Sequence, residues 1–222
     1  MRYAVYHLPE DPLGDWGSAW LGWDIRTGQT RTQPEVTGLP KPLAALTEIP
    51  RRYGFHATLK APMVLAEGAK PDELAAALRT VAARHRPLAL TMQLVTDWGF
   101  LCLRPQHQPS ALHALEADLV QELDRFRAAL SAEDRARRQP ERLSDAARNH
   151  LDRWGYPHVL ELFHYHLTLS GPITEEEGDA LKARLSGPLG ALIEAPMPVS
   201  KLALVIERPD RQFELVEEVA LG

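Results

Sequence analysis

The sequence predicts an α+β fold of two pseudo-symmetric lobes, each a strand-helix-strand-strand repeat, whose antiparallel sheets enclose a central groove. The first observation is a repeated motif: HATLKAP begins at His56 and HLTLSGP begins at His166, so H-x-T-L-x-x-P occurs twice, 110 residues apart. The others are a helical pattern and then two strand-like apolar runs after each copy. Because repeats this short cannot bury both faces of a sheet, we expect a single two-lobed domain over residues 1–222.

The N-terminal region precedes the first motif. Residues 2–7 are rich in Tyr and Val and predict a strand that joins one of the sheets. Residues 8–50 are rich in Pro, Gly and Trp and lack a clear period, except that Trp16, Trp20 and Trp23 stand at i, i+4 and i+7. We expect these rings to attach a short helix to the body of the protein.

The first motif lobe is expected at about residues 50–105. Pro71 suits the first turn of a helix, and Leu74, Leu78 and Val81 give that helix an apolar face. The apolar runs 88–95 and 99–104 then predict two paired strands.

A helical, arginine-rich insertion is expected at about residues 109–155, with a long helix over 110–130. Residues 125–153 hold eight arginines and five acids, which fits either a solvated helical surface or a cationic rim for an anionic substrate. The second motif lobe follows at about 160–222. Thr174 and Glu177 there form a capping box before a helix through Leu181 and Leu185, and runs 199–207 and 213–219 predict strands.

Composition excludes several classes of protein. The chain has 222 residues, 45% of them hydrophobic, and a net charge of -5, so we expect a globular protein without a stable nucleic-acid partner. No apolar run approaches the roughly 20 residues of a membrane span, and the acidic, Pro-containing start does not suit a signal peptide, so no membrane partner and a cytoplasmic location are expected. The single cysteine, Cys102, excludes an internal disulfide and a cysteine-based zinc site. We expect a monomer.

The motif strands predict two histidine-threonine pairs. Alternate side chains of a strand share a face, so His56, Thr58 and Lys60 should lie opposite the core-facing positions of the first strand. By the same rule His164, His166, Thr168 and Ser170 should face away from the core in the second strand. A single strand histidine is weak evidence for catalysis, but a matched pair is much stronger.

Two facing imidazoles suit general acid and general base catalysis, because the ordinary histidine pKa of about 6.5 lets each take either role. Thr58 and Thr168 could donate hydrogen bonds to a phosphate, so His56 and His166 are the candidate catalytic pair for phosphodiester cleavage. Lys60 could add positive charge, although a solvent-facing lysine is an equal alternative. This chemistry needs no metal or other cofactor, and we expect none.

The paired H-x-T motifs on duplicated lobes resemble the 2H phosphoesterases, the superfamily of bacterial 2'-5' RNA ligases and cyclic phosphodiesterases. The run RRYGFHATLKAP at residues 51–62, with RWGYP at 153–157, is most similar to the DUF1045 family, described as proteins of phosphonate metabolism. The resemblance covers essentially the whole chain. It implies that His56 and His166 are catalytic, that Thr58 and Thr168 hold phosphate in a groove between the lobes, and that the substrate is a small cyclic phosphate.

Other residues are candidate substrate contacts. His164 and His166 form an H-x-H pair, but the first motif has Gly54 at the equivalent position and no third matched ligand, so we expect no metal site. His164 could instead line the groove. Arg127 and Arg138 could bind a second phosphate, since guanidinium recognises phosphate oxygens in a bidentate manner. Tyr53 and Tyr156 are candidate aromatic walls, although large aromatics near Gly and Pro more often pack in the core.

The leading functional hypothesis is a metal-independent cyclic phosphodiesterase acting on a small phosphorylated substrate, a ribose cyclic phosphate or a nucleoside 2',3'-cyclic phosphate. One alternative is an RNA 2'-5' ligase or RNA end-processing enzyme, which the acidic net charge disfavours. The other is a non-catalytic protein that binds a phosphorylated metabolite, for which a paired acid and base would be unnecessary.

Overall fold

The two halves of the chain exchange their hairpins between two sheets in the computed structural model, which describes residues 1–222. The strands are β1 Tyr3–His7, β2 Trp23–Asp24, β3 Gln29–Thr30, β4 Ala57–Met63, β5 Leu88–Leu90, β6 Met92–Asp97, β7 Phe100–Pro105, β8 Leu167–Thr168, β9 Met197–Val199, β10 Lys201–Glu207 and β11 Phe213–Ala220. The α-helices are α1 Leu13–Leu21, α2 Leu43–Leu46, α3 Glu48–Arg51, α4 Pro71–Ala82, α5 Ser110–Glu122, α6 Ala132–Arg137, α7 Asp145–Trp154 and α8 Glu175–Ile193.

The first sheet has the order β11-β10-β1-β4, and the second has the order β6-β7-β8. All pairings in both sheets are antiparallel. This confirms the α+β class with antiparallel sheets. β5 pairs with β9 and β2 with β3 as separate two-stranded ribbons. No helix combines the length and the apolar character needed to cross a lipid bilayer.

The motif strand of each half lies beside the hairpin of the other half. β4 from the first half shares a sheet with β10 and β11, and β8 from the second half shares a sheet with β6 and β7. Each helix packs on the sheet that contains the motif strand preceding it in the chain. Helix α4, which follows β4, contacts β10 and β11, and helix α8, which follows β8, contacts β6 and β7. This differs from the expectation that each repeat forms a sheet of its own. The two strands of a hairpin pair with each other because a short turn joins them. A strand outside a hairpin has no such connection, so local sequence does not determine which strand it pairs with.

Three predicted elements have different bounds in the structure. Helix α1 stops at Gly22, whose left-handed φ of 81° caps the helix, so Trp23 lies in β2 rather than on the helix. The predicted strand over 88–95 is divided at Thr91 into β5 and β6, which pair with different partners. The helix predicted over 110–130 ends at Glu122, because the chain around Arg127 pairs instead with the backbone at Leu65.

A two-residue turn at the tip of the β6–β7 hairpin places an aromatic ring beside the second motif. Asp97 pairs with Phe100, and the turn residues Trp98 and Gly99 have positive φ values of 50° and 80°. Positive φ at both central positions matches the twist of the flanking strands. Trp98 remains 49% exposed, and its ring centroid lies 5.4 Å from that of His166.

Candidate active site

The two motif histidines line one cavity between the two sheets. This central cavity, of about 190 Å³, is lined by Arg2, Tyr6, Tyr53, His56, Thr58, Ala61, Pro62, Arg138, Tyr156, His166 and Thr168. Both histidines and both threonines of the duplicated motifs are therefore brought together. All four are half-buried, which keeps them partly in contact with solvent.

The two imidazoles are anchored in the same way. Nδ1 of His56 lies 2.9 Å from the carbonyl oxygen of Gly54, and Nδ1 of His166 lies 2.8 Å from the carbonyl oxygen of His164. A carbonyl can only accept, so each Nδ1 carries the proton and each neutral ring leaves Nε2 as a base. Nε2 of His56 accepts the hydroxyl hydrogen of Thr58 at 3.0 Å. Each repeat thus holds its histidine through the backbone two residues earlier.

The backbone at Gly54 is suited to this anchor. Its φ of 72° lies in the left-handed region, and a Cβ atom there would meet Cβ of Ile25 at 3.0 Å. Glycine adopts this conformation without strain, which lets the chain turn so that its carbonyl meets the ring of His56. His164, at the matching position of the second motif, makes the same contact through its carbonyl without a positive φ.

Burial lowers the pKa of both histidines. Loss of water contact is the main cause of the fall in the His56 pKa from 6.5 to about 4, and His166 lowers it a little further. The His166 pKa is also lowered, first by burial and then by neighbouring histidines, while the hydrogen bond to His164 opposes the shift. Both rings are therefore neutral at pH 7 when the cavity holds no anion. A bound phosphate would raise both values, because opposite charge favours the imidazolium.

Lys60 does not face the central cavity beside His56. Its side chain is buried, with 4% of the residue exposed, and its Nζ donates to the carbonyl of Val120 at 2.9 Å. The reason is a β-bulge, because Val5 pairs with Lys60 whereas the next residue, Tyr6, pairs with Thr58. The extra residue interrupts the alternation on which the expectation for Lys60 depended. Burial lowers the Lys60 pKa to about 8, although Asp124 opposes the shift.

Ser170 also departs from the expected face. It is 1% exposed, its Oγ accepts from the backbone of Leu101 at 2.9 Å, and it donates to the carbonyl of Gly171. The regular strand β8 ends at Thr168, so alternation does not extend to this position.

The remaining candidate contacts are divided between the central cavity and two adjoining spaces. Tyr53, Tyr156 and Arg138 line the central cavity. His164 lies instead in an aromatic chamber of about 290 Å³, which also contains Trp98 and Phe100 and opens onto His166.

Arg127 lines a cationic chamber of about 210 Å³, which shares Arg138 and Tyr156 with the central cavity. Its guanidinium is already engaged, because it binds the carboxylate of Asp124 and the backbone carbonyls of Ala128 and Arg153. The structure therefore distinguishes Arg127, whose guanidinium has protein partners, from Arg138, whose guanidinium has no hydrogen-bond partner. The sequence did not distinguish them.

Sequence reasoning missed Tyr6, whose ring stacks on that of His56 with centroids 3.7 Å apart. The sequence predicted a strand at residues 2–7 but not which strand it pairs with. Tyr6 lies beside the first motif because it pairs with Thr58 of β4. Arg2 and Glu116 were also missed. Glu116 lines the aromatic chamber and accepts from the backbone of Leu160 at 3.1 Å, and burial raises its pKa to about 7.

Nowhere in the chain do three or more His, Cys, Asp or Glu side chains form a group that could hold a metal ion. The donors in the central cavity are instead imidazoles, hydroxyls and guanidinium groups, which suit an anionic ligand and proton transfer.

Solved structures similar to this chain include E. coli LigT in apo form, with 16% identity, a TM-score of 0.46 and coverage of 100% of this chain and 97% of that one. E. coli LigT complexed with 3'-AMP has 15% identity, a TM-score of 0.44 and coverage of 100% and 98%.

Among curated proteins, a ribose 1,5-bisphosphate phosphokinase PhnN of Laribacter hongkongensis is 37% identical over 93% of this chain. A protein of the same name from Janthinobacterium is 31% identical over 93% of the chain. The chain spans about half the length of both relatives, 48% and 47%. Residues 58–214 match the family described as "Protein of unknown function (DUF1045)". Since this match covers most of the sequence, the chain belongs to the DUF1045 family.

Proposed function

We propose that this protein is a metal-independent phosphodiesterase that opens a small cyclic phosphate by two-histidine acid-base catalysis. The observation that carries the proposal is the convergence of His56, Thr58, His166 and Thr168, from two repeats, on one cavity. Their resemblance to the motifs of the 2H phosphoesterases supports the same reaction class.

His56 acts as the general base in this proposal. Its Nε2 is unprotonated, and the low pKa of about 4 keeps it so near neutral pH. It takes a proton from a water molecule as the water oxygen forms a bond to phosphorus. His166, protonated when the anionic substrate is bound, donates its Nε2 proton to the sugar oxygen as the phosphorus–oxygen bond of the ring breaks. The product is a phosphate monoester, and the two imidazoles then exchange protons with solvent to restore the starting state.

The threonines hold the phosphate between the histidines. The hydroxyl of Thr58 reaches Nε2 of His56, so a phosphate oxygen can replace the ring as its acceptor. Thr168 would donate from the opposite strand, which aligns the water and the leaving oxygen about the phosphorus atom. Each positioned proton transfer contributes roughly 10²–10⁴-fold to the rate.

A ribose cyclic phosphate is the favoured substrate, with a role in phosphonate catabolism. The curated relatives carry the name of an enzyme acting on ribose 1,5-bisphosphate, which supports a phosphorylated ribose. The kinase activity in that name is not proposed for this chain, which matches only about half of those proteins.

The test is hydrolysis of ribose 1,2-cyclic phosphate and adenosine 2',3'-cyclic phosphate by the purified chain in the presence of EDTA. We expect turnover of at least one, and a loss of roughly 10²-fold or more in kcat for His56→Ala and for His166→Ala. His107→Ala is the control, because His107 is exposed and lies outside the central cavity. No turnover of either compound, or full activity in both motif variants, would contradict the proposal. Tight binding without turnover would favour a non-catalytic phosphometabolite-binding protein.

A further inference from the structure

We infer that the groove contains a second anion subsite, in which Arg138 and the hydroxyl of Tyr6 bind a further phosphate group of the substrate. The inference rests on the proposed function and specifies its substrate class: a cyclic phosphate that also carries a terminal phosphate monoester. The reacting phosphate lies at Thr58 and Thr168, and the terminal phosphate lies at Arg138.

The hydroxyl of Tyr6 is the first observation. Tyr6 is fully buried, and its Oη has no hydrogen-bond partner in the structure. A buried polar group without a partner costs about 1–3 kcal/mol, so such groups are uncommon unless a ligand or water satisfies them. Tyr6 lines the central cavity, and stacking on His56 fixes its ring. A phosphate oxygen in the cavity would accept the hydrogen bond that no protein atom accepts.

The guanidinium of Arg138 is the second observation. Six cationic side chains line the cationic chamber: Arg2, Arg52, Lys60, Arg127, Arg137 and Arg138. Five of them have carboxylate partners in Glu207, Asp124 or Asp134. Only Arg138 makes no ion pair, and its side chain makes no hydrogen bond. It lies over the ring of Tyr156, 4.8 Å from the centroid.

This arrangement leaves the guanidinium free for a ligand. Stacking on Tyr156 orients the plane without using an N–H group, so all five donors remain available. Guanidinium binds two phosphate oxygens at once, which a lysine cannot reproduce.

The paired cations also leave an excess of positive charge. Glu207 forms ion pairs with both Arg2 and Arg52, and Asp124 forms ion pairs with both Lys60 and Arg127. Each carboxylate thus balances only one of its two cations when Lys60 is protonated. An anion in the chamber would therefore be attracted by more than Arg138 alone.

The position of Arg138 connects the subsite to the reaction. Arg138 and Tyr156 line both the central cavity and the cationic chamber, so they stand at the junction between the two spaces. A substrate with two phosphate groups can place one between the histidines and the other at this junction. The aromatic chamber, which shares Thr58 and His166 with the central cavity, is lined by no arginine or lysine.

The test compares substrates with and without a terminal phosphate. Ribose 1,2-cyclic phosphate and adenosine 2',3'-cyclic phosphate are each assayed beside the form phosphorylated at the 5-position. We expect the terminal phosphate to raise kcat/KM roughly tenfold or more in at least one pair, since charged hydrogen bonds are made to it. Arg138→Gln should reduce that ratio to near one, and Tyr6→Phe should reduce it in part.

Arg142→Gln is the matched control. Arg142 is an exposed arginine of the same insertion, has no ion-pair partner and lines none of the three spaces. It should retain both the basal activity and the wild-type ratio. The inference would be overturned if wild-type protein hydrolysed both members of each pair with nearly equal kcat/KM. It would also be overturned if Arg138→Gln kept the wild-type ratio of kcat/KM with and without the terminal phosphate.

A calorimetric experiment separates this inference from the proposed function. If no cyclic phosphate is hydrolysed, the proposed function fails, but the subsite still predicts that adenosine 3',5'-bisphosphate binds roughly tenfold or more tightly than adenosine 3'-monophosphate. Arg138→Gln should remove that difference. Equal affinities in wild type would overturn the subsite. Inorganic phosphate bound through Arg138, with equal affinities for the two nucleotides, would assign the position to free phosphate instead and equally contradict a substrate subsite.

Discussion

The ring of Tyr6 stacks on the ring of His56, with centroids 3.7 Å apart and 23° between the planes. The contact joins β1 to the first motif strand and removes water from one face of the imidazole. Tyr6 is therefore a positioning residue for His56, in addition to its hydroxyl being free for a ligand. Desolvation of this kind is the main cause of the low His56 pKa.

Replacing the ring should change the acidity of His56. In Tyr6→Leu we expect the pKa of His56 to rise from about 4 toward 6.5, because water reaches the exposed face. The acid limb of the pH profile of kcat/KM should move upward, and kcat should fall roughly ten- to hundredfold as the ring loses its fixed orientation. Tyr6→Phe retains the stack and should keep the wild-type acid limb. An unchanged limb in Tyr6→Leu would contradict the positioning role.

The pH dependence of wild-type kcat/KM should be bell-shaped, with its maximum below pH 6.5. His56 must be neutral to act as base, so activity should be lost as pH falls toward its pKa of about 4. His166 must be protonated to act as acid, so activity should decline as pH rises through its pKa, which lies below 6.5.

The measurement is kcat/KM from pH 3.5 to 8, with circular dichroism at each pH to confirm that the protein stays folded. Both histidines have depressed pKa values in the folded state, so folding favours their neutral forms and stability decreases as pH falls below 6.5. A rate that stays constant from pH 5 to 8 would exclude His166 as the acid.

Gly54→Ala should impair both stability and catalysis. A left-handed φ costs a residue with a Cβ roughly 1–2 kcal/mol, and the new Cβ would also stand 3.0 Å from Cβ of Ile25. Relief of this contact would move the carbonyl that holds His56 and lower kcat. Gly68→Ala is the control, because its φ of 80° has the same backbone cost but a Cβ there meets nothing within 4 Å. The free energy of unfolding, measured with denaturant, and kcat should both be lower in Gly54→Ala than in Gly68→Ala. Equal values in the two variants would contradict the role of the Gly54 carbonyl in holding His56.

Lys60→Met should affect stability rather than catalysis. Nζ of Lys60 donates to the carbonyl of Val120 near the end of α5 and lies 3.7 Å from Asp124. We expect the free energy of unfolding to fall by about 1–3 kcal/mol, because a buried carbonyl loses its donor. We also expect kcat/KM for a cyclic phosphate without a terminal phosphate to stay within about threefold of wild type, because no group that contacts the reacting atoms is removed. A loss of a hundredfold in a folded variant would show that Lys60 takes part in the reaction.

Several features of the site were predictable from local patterns. The duplicated H-x-T motif identified His56, Thr58, His166 and Thr168. Each histidine immediately precedes its strand, β4 or β8, and lines the same cavity as the threonine two positions later. The rule of strand alternation failed at Lys60, where a bulge interrupts β4, and at Ser170, which lies beyond the end of β8. The rule depends on regular pairing, and a sequence pattern does not show where pairing stops.

The sequence by itself determined the α+β class, most of the strands and helices, and the four motif residues, since these depend on contacts within short stretches of chain. Tertiary structure alone decided that the two halves exchange hairpins, that Tyr6 stacks on His56, and that Arg138 is free while Arg127 is engaged. Those relationships join residues far apart in the chain. They depend on which strand edges pair and which carboxylates lie within reach of each guanidinium, and both are settled only when the whole chain packs.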